Sequence, residues 1–327
     1  MPSIGKKSII LAPMKIHDSI SDVSLGTIKK PILTVGTFDG LHIGHQKIIK
    51  RICEIAKQEN GESVLLTFHP HPRLVLFPED DNIKLICTKE EKIALLKSYG
   101  LDHVIFMKFG KTLSRMAPVE YVRDILVNKI GVSKFVIGYD HHFGRNRQGN
   151  IELLKELSPI YDFELEEIPA QEIEEIKVSS TKIRNAILKG DIAKAEHYLD
   201  HPFELSGNII AGNQLGRTIN FPTANVEVSE KNKIIPKNGV YQVDCFLEGK
   251  KLTGVLNIGT KPTTGENNKR SIEVHLLDFD ELIYDKVIAM QFVNRIRDEK
   301  KFNSLDELKL QIKKDVQEVR NNKLLNN

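Results

Sequence analysis

Short apolar runs alternate with helical periods through the first half of the chain. Ile32 to Val35, Ser63 to Phe68, His103 to Phe106 and Phe135 to Ile137 read as strands. Between them, Ile48, Ile52 and Ile55 share one helical face, and Thr88 to Glu91 reads T-x-x-E, a capping box that opens a helix through Leu95 and Leu96. Such alternation is the mark of βα units packing a parallel sheet, so this half predicts a doubly wound α/β fold.

After about residue 190 the texture changes. Ala211-Gly212-Asn213, Lys237-Asn238-Gly239 and Glu248-Gly249-Lys250 are turn signals that separate β-rich runs without intervening helices, which predicts an antiparallel barrel or sandwich. Ser304 and Glu307 make an S-x-x-E box before a helix whose apolar face is Leu305, Leu308, Ile312, Val316 and Val319, with Lys323 to Asn327 expected as a frayed tail. Asp191 to Leu199 predicts a connecting helix. The expected division is one domain over 15–190, a linker over 191–204 and a second domain over 205–324.

A length of 327 residues suits two such domains, each large enough to bury a core. A net charge of +3 against 47 basic and 44 acidic residues argues for neither a nucleic-acid nor a membrane partner. Cys53, Cys87 and Cys245 are widely spaced and suit free thiols in a reducing cytoplasm rather than a disulfide framework or a zinc site. Lys6 and Lys7 precede an apolar stretch from Ile9 to Ala12, too short for a signal peptide or a membrane span.

Chemistry enters with Val35 to His45, VGTFDGLHIGH, which follows a strand and opens a helix, the place where open α/β sheets bind ligands. It lacks G-x-G-x-x-G spacing. His42 and His45 instead fall on one face of the first helical turn, beside the positive end of the helix, where two imidazoles can donate to phosphate oxygens as charge develops. Alone, H-x-x-H also fits surface histidines or a partial metal site. A second piece, Ser179-Ser180-Thr181-Lys182-Ile183-Arg184, puts hydroxyls at a helix start and a guanidinium one turn on, which suits polyphosphate oxygens or an ordinary cap. His69, His71, His141 and His142 leave a zinc reading open. Gly110-Lys111-Thr112 mimics the end of a P-loop, but Ile105 stands where the pattern demands glycine.

In the second half, Gly212-Asn213-Gln214-Leu215-Gly216-Arg217 is a glycine-bearing loop, followed by Phe221-Pro222-Thr223-Ala224-Asn225. Glycines let backbone amides approach phosphate, and Thr223 and Asn225 alternate onto one side of an extended segment, a normal way to help hold Mg²⁺ beside a nucleotide. Glu273, in Ser271 to Leu276, is either a base for an attacking hydroxyl or the solvent-facing member of a strand.

Together GTFDGLHIGH and SSTKIR resemble the HxGH and SSTxxR motifs of the nucleotidyltransferase superfamily. Thr67-Phe68-His69-Pro70-His71-Pro72 and Gly138-Tyr139-Asp140-His141-His142-Phe143-Gly144 resemble the FAD-synthetase module, with His141 and His142 replacing the more usual Phe-Arg or Phe-Thr. The run GNQLGRTINFPTAN resembles the riboflavin-kinase signature. The whole is similar to bacterial bifunctional riboflavin kinase and FAD synthetase. That resemblance implies a Rossmann-like nucleotidyltransferase domain and a six-stranded Greek-key barrel with a terminal helix. It implies phosphate contacts from Gly36, Phe38, Asp39, His42, Gly44, His45, Asp140, Ser180, Thr181 and Arg184, and flavin contacts from Pro70, His71 and Pro72. For the kinase it implies ATP on Gly212, Leu215, Gly216 and Arg217, Mg²⁺ on Thr223 and Asn225, Glu273 as base and Arg297 at the flavin. The implied small molecules are riboflavin, FMN, FAD and ATP, with Mg²⁺ and no tightly held prosthetic group. The alternatives are a single-activity kinase whose other half has decayed, and a flavin-binding regulator without turnover.

Overall fold

The computed structural model describes residues 13–80, 82–138, 141–169, 178–212, 221–260 and 270–325. The chain divides into two compact units, Met1–Ile83 with Lys92–Val178, and Lys84–Glu91 with Ser179–Asn327.

The first unit is a six-stranded sheet of β1 (Lys15–His17), β2 (Pro31–Val35), β3 (Glu62–Phe68), β4 (His103–Met107), β5 (Lys134–Gly138) and β6 (Glu164–Ile168), in the order β1-β4-β3-β2-β5-β6. Every pairing is parallel. The period of two sends alternate residues to opposite faces. Leu33, Val35, Val64, Leu66, Ile105, Met107, Phe135 and Ile137 join one apolar cluster, whereas Ile32, Leu65, Val104, Phe106 and Val136 join the other. The second cluster receives Ile49, Ile52 and Ile55 of α1 (Ile43–Glu59), and the doubly wound expectation holds. The other helices here are α2 (Pro72–Leu76), α3 (Lys89–Lys97), α4 (Lys111–Arg115), α5 (Pro118–Glu120), which runs into a π-helical stretch over Tyr121–Ile130, and α6 (Ile151–Tyr161). The chain builds outward from β2 through β3 and β4, then returns to place β5 on the other side of β2. That reversal opens a crevice at the carboxyl ends of β2 and β5.

The second unit is a closed antiparallel barrel, β10-β11-β8-β7-β12-β9, from β7 (Glu204–Ile210), β8 (Ala224–Glu227), β9 (Gly239–Leu247), β10 (Lys250–Thr260), β11 (Arg270–Leu276) and β12 (Val287–Arg297). Closure leaves no sheet edge to aggregate. Tyr241, Leu256 and Val274 stand opposite one another across three strands and are fully buried, as are Val243 and Phe292. Glu248 and Gly249, with φ of 49° and 79°, turn β9 into β10 in the left-handed geometry that a two-residue hairpin favours. Helices α7 (Ser180–Lys189) and α8 (Ile192–Leu199) pack together, and α8 lies on β12. Helix α9 (Leu305–Leu325) buries Val319 against Val240, Val255 and Leu277 and stays helical to Leu325, past the point where a frayed tail was expected.

The Thr88 box forms in full, and the Ser304 box forms in its Ser304 half. Thr88 and Glu91 exchange backbone-to-side-chain bonds at 2.9 and 3.2 Å. Glu307 receives a bond from Asn303 N, while Ser304 Oγ accepts from Glu307 N. Glu91 does more than cap. It pairs with the buried Lys233, whose ammonium also donates to the carbonyls of Ile86 (2.7 Å) and Glu204 (2.6 Å), holding Lys84–Glu91 within the second unit.

Candidate functional sites

The turn between β2 and α1 lies in the crevice of the first unit and is unusually bent for its residues. Phe38 and Leu41 both have positive φ, 45° and 43°, flanking Gly40 at 84°. Non-glycine side chains resist that region, yet both are buried in the cluster beneath α1. Gly36 is required for a steric reason. A Cβ there would meet the Phe38 ring at 2.8 Å.

His42 is the N-cap of α1, its Nδ1 accepting from His45 N at 3.4 Å. An acceptor at Nδ1 leaves the ring proton on Nε2. His45 stacks on His42 with centroids 3.6 Å apart and leans on Phe38 at 4.7 Å. Burial above all, then the neighbouring His42 and Lys92, hold His45 well below its ordinary value of 6.5, so it is an uncharged imidazole at neutral pH. Its Nδ1 is buried with no hydrogen-bond partner among the described residues. Asp39 is buried at the same turn, and Gly44 is buried in the first turn of α1.

Two further segments leave the sheet at this end. After β3, His71 caps α2 by accepting from Arg73 N at 3.2 Å, and Pro72 begins the helix behind the cis His69–Pro70 bond. After β5, the His141 ring packs between Phe135 (5.7 Å) and Phe143 (5.9 Å). Burial, then His142 and Arg147, push His141 down to about 4, so it occupies an aromatic position as a neutral ring. Asp140 lies outside the described residues. Among those described, no group of three or more His, Cys, Asp or Glu is placed to hold a metal.

Ser180, Thr181 and Arg184 belong to the second compact unit. Ser179 caps α7 by accepting from Lys182 N, Ser180 and Thr181 form its first turn, and Arg184 Nε donates to Lys84 O at 2.6 Å. The predicted helix-start geometry is present.

On the barrel, the register brings Glu273 opposite Asn225 across β11 and β8, and opposite Asn257 across β11 and β10. Residues directly opposed share a face, and Val274 and Leu256 take the inward positions beside them. Glu273, Asn225 and Asn257 therefore stand together on the outer surface, with Thr223 two residues before Asn225 on the same side. Gly212 presses on this row, since a Cβ there would lie 1.9 Å from Asn225 Nδ2. His275 Nδ1 lies 2.8 Å from the Pro222 carbonyl and ties this segment to β11. A cavity of about 830 Å³ adjoins it, walled by Gly212, Thr223, Asn225, Leu276, Asp278 and Tyr284 among others, within the usual range of roughly 300–1,000 Å³ for small-molecule sites. Leu215, Gly216 and Arg217 lie outside the described residues. Arg297 is forked onto the buried Asp315 of α9 at 2.7 to 3.1 Å and lies over Phe302.

Sequence reasoning missed Asn257, Asp315 and the cavity wall from Asp278 to Tyr284. Only the alternation of β10 carried a signal for Asn257.

A FAD synthetase family model matches residues 26–182, and a riboflavin kinase family model matches residues 199–323. A bifunctional riboflavin kinase/FMN adenylyltransferase of Buchnera aphidicola (subsp. Schizaphis graminum) is 37% identical over 88% of this chain and 92% of its own length. The protein of that name from Escherichia coli K12 is 35% identical over 92% of this chain and 96% of its own. Among solved structures, one titled a macrolide-efflux protein from Streptococcus pneumoniae superposes with a TM-score of 0.82 at 29% identity, covering 95% of this chain and 99% of that one.

Proposed function

Since the chain belongs to the bifunctional riboflavin kinase/FMN adenylyltransferase family, phosphorylating riboflavin and adenylylating FMN, we propose which residues perform each step. Residues 15–190 carry adenylyl transfer, 191–204 link, and 205–324 carry the kinase.

In adenylyl transfer, a phosphate oxygen of FMN forms the new bond to the α-phosphorus of ATP while the bond to pyrophosphate breaks. His42 and His45 donate from Nε2 to the oxygens that gain charge, and the amides at the start of α1 add to them. Gly36, Phe38, Asp39 and Gly44 shape the turn. Ser180, Thr181 and Arg184 take further phosphate oxygens, Asp140 the nucleotide, and Pro70, His71 and Pro72 the flavin. The neutral His45 suits this role, because an uncharged imidazole donates without placing positive charge against its stacked partner.

In the kinase, Glu273 takes the proton from the terminal ribityl hydroxyl as that oxygen attacks the γ-phosphorus and ADP departs. Thr223 and Asn225 fit Mg²⁺, offering neutral oxygens on one face beside a nucleotide-sized cavity. When bound, the ion would neutralise charge on the phosphate oxygens. Gly212, Leu215, Gly216 and Arg217 bind ATP phosphates, and Arg297 the flavin. The observation that carries this reading is the register placing Glu273 beside Asn225. The ligands are small molecules, and three buried free thiols suit a cytoplasmic protein.

The test is to incubate protein with riboflavin, ATP and MgCl₂ and resolve FMN from FAD over time. His45→Ala should accumulate FMN without FAD. Glu273→Ala should block FMN yet convert supplied FMN to FAD. Loss of both activities in either folded variant would refute the two-site assignment, and absence of FAD from the parent protein would leave a single-activity kinase.

A further inference from the structure

Lys92, on α3, is 7% exposed and points at the turn that carries the histidine pair. Its Nζ donates to the Thr37 carbonyl at 2.6 Å and lies 3.5 Å from the Thr67 hydroxyl, which itself donates to the same carbonyl at 3.2 Å. Both partners are neutral, and among the described residues no carboxylate pairs with it. Lys233, comparably buried, has Glu91. An ammonium withdrawn from water with only neutral oxygens around it is costly unless a further charge answers it. The turn it grips is the one that binds an anion in the reading above.

Resting on that reading, we infer that Lys92 is a positioning residue of the adenylyltransferase. Its ammonium clamps the Thr37 carbonyl, fixes the turn presenting His42 and His45, and places a fixed positive charge beside the ATP phosphates. Gly36 N donates to Leu66 O at 3.1 Å, so the start of the turn is held by β3 and its next residue by Lys92. The same charge acts on His45 and helps keep it neutral.

Lys92→Met removes clamp and charge together with little change of volume. FAD formation from supplied FMN should lose tenfold or more in kcat/KM for ATP, FMN formation should stay within twofold, and the His45 imidazole should titrate by NMR at higher pH than in the parent. Lys92→Gln keeps a donor for the carbonyl but no charge. It should raise the His45 titration similarly while losing less kcat/KM, and it serves if the Met variant does not fold. A kcat/KM within twofold of the parent in both variants overturns the inference, as does a fall in rate with His45 titrating unchanged, which marks a merely structural lysine. Failure of the underlying reading looks different, because His45→Ala would then leave FAD formation intact.

Discussion

Gly212→Ala isolates the proposed kinase site by steric means alone. The added Cβ would stand 1.9 Å from Asn225 Nδ2 and 2.5 Å from its Cγ. An ordinary contact begins near 3.4 Å, so the amide must retreat by 3.4 − 1.9 = 1.5 Å, or swing to another rotamer. Either movement carries the Asn225 oxygen off the row it shares with Thr223 and Glu273. Misplacing a group by about 1 Å at a reacting centre costs roughly 100-fold, or about 2.7 kcal/mol of barrier. FMN formation should fall by about that factor. The fold should tolerate the change, because Gly212 does not lie in the left-handed region and follows the end of β7, so a stability loss of about 1 kcal/mol or less is expected. The assay is the initial rate of FMN from riboflavin and ATP, with FAD from supplied FMN as internal control and a urea melt for folding. Kinase turnover within threefold of the parent would mean that Asn225 does not hold the reacting phosphates.

Asp315→Ala strips the fork from Arg297 and the bond from Gln311, leaving a half-buried guanidinium without its anion. Urea denaturation should register a loss of about 3 kcal/mol, with FMN affinity weakened as Arg297 loses its orientation. His45 and His141 both titrate below 6.5 when folded, the latter at about 4. The unfolded chain therefore takes up protons that the native state refuses, so stability present above about pH 6.5 is lost as pH falls toward 4. His141→Phe should flatten that slope in urea melts recorded across pH while FAD formation persists. An unchanged slope would show that the His141 ring is charged in the folded protein.

The central strands were legible because burial on both faces writes itself as continuous apolar runs, and β2 to β5 lie within a residue or so of their predicted ends. The edge strands were not. Glu164-Leu165-Glu166-Glu167-Ile168 is mostly acidic and Lys15-Ile16-His17 is only three residues long. Edges tolerate charge and brevity, which blunt pairing with other chains. The return of Lys84–Glu91 to the second unit was also hidden, since it rests on one bridge from Leu85 to Lys233 and on buried side-chain contacts rather than a ladder. The histidine pair was readable because helix geometry is local. The neighbourhood of Glu273, Asn225 and Asn257 is not, because cross-strand register joins residues far apart in sequence, and only resemblance to known motifs pointed to two of the three. No composition rule would have assigned positive φ to Phe38 and Leu41. Each such residue costs about 1–3 kcal/mol, and burying each side chain recovers a similar amount, about 1.5–3 kcal/mol.

On the proposed assignment, the two sites differ in the one group that the nucleophile demands. FMN brings a phosphate whose second ionisation lies near pH 6, so its attacking oxygen is already free of a proton at neutral pH. Imidazoles that only donate, one of them the uncharged His45, then suffice, and a carboxylate aimed at the nucleophile would repel it. Riboflavin brings an alcohol, which must lose its proton as it attacks, and the barrel register sets a strand carboxylate, Glu273, beside the neutral amides of Asn225 and Asn257. In the crevice, donors are held by a strained turn that the apolar cluster under α1 and the Lys92 bond pin in place. On the barrel, they are held by register in a closed sheet. Loosening the core beneath Phe38 and Leu41 should therefore impair adenylyl transfer first, whereas the kinase depends on the strand pairing of β8, β10 and β11.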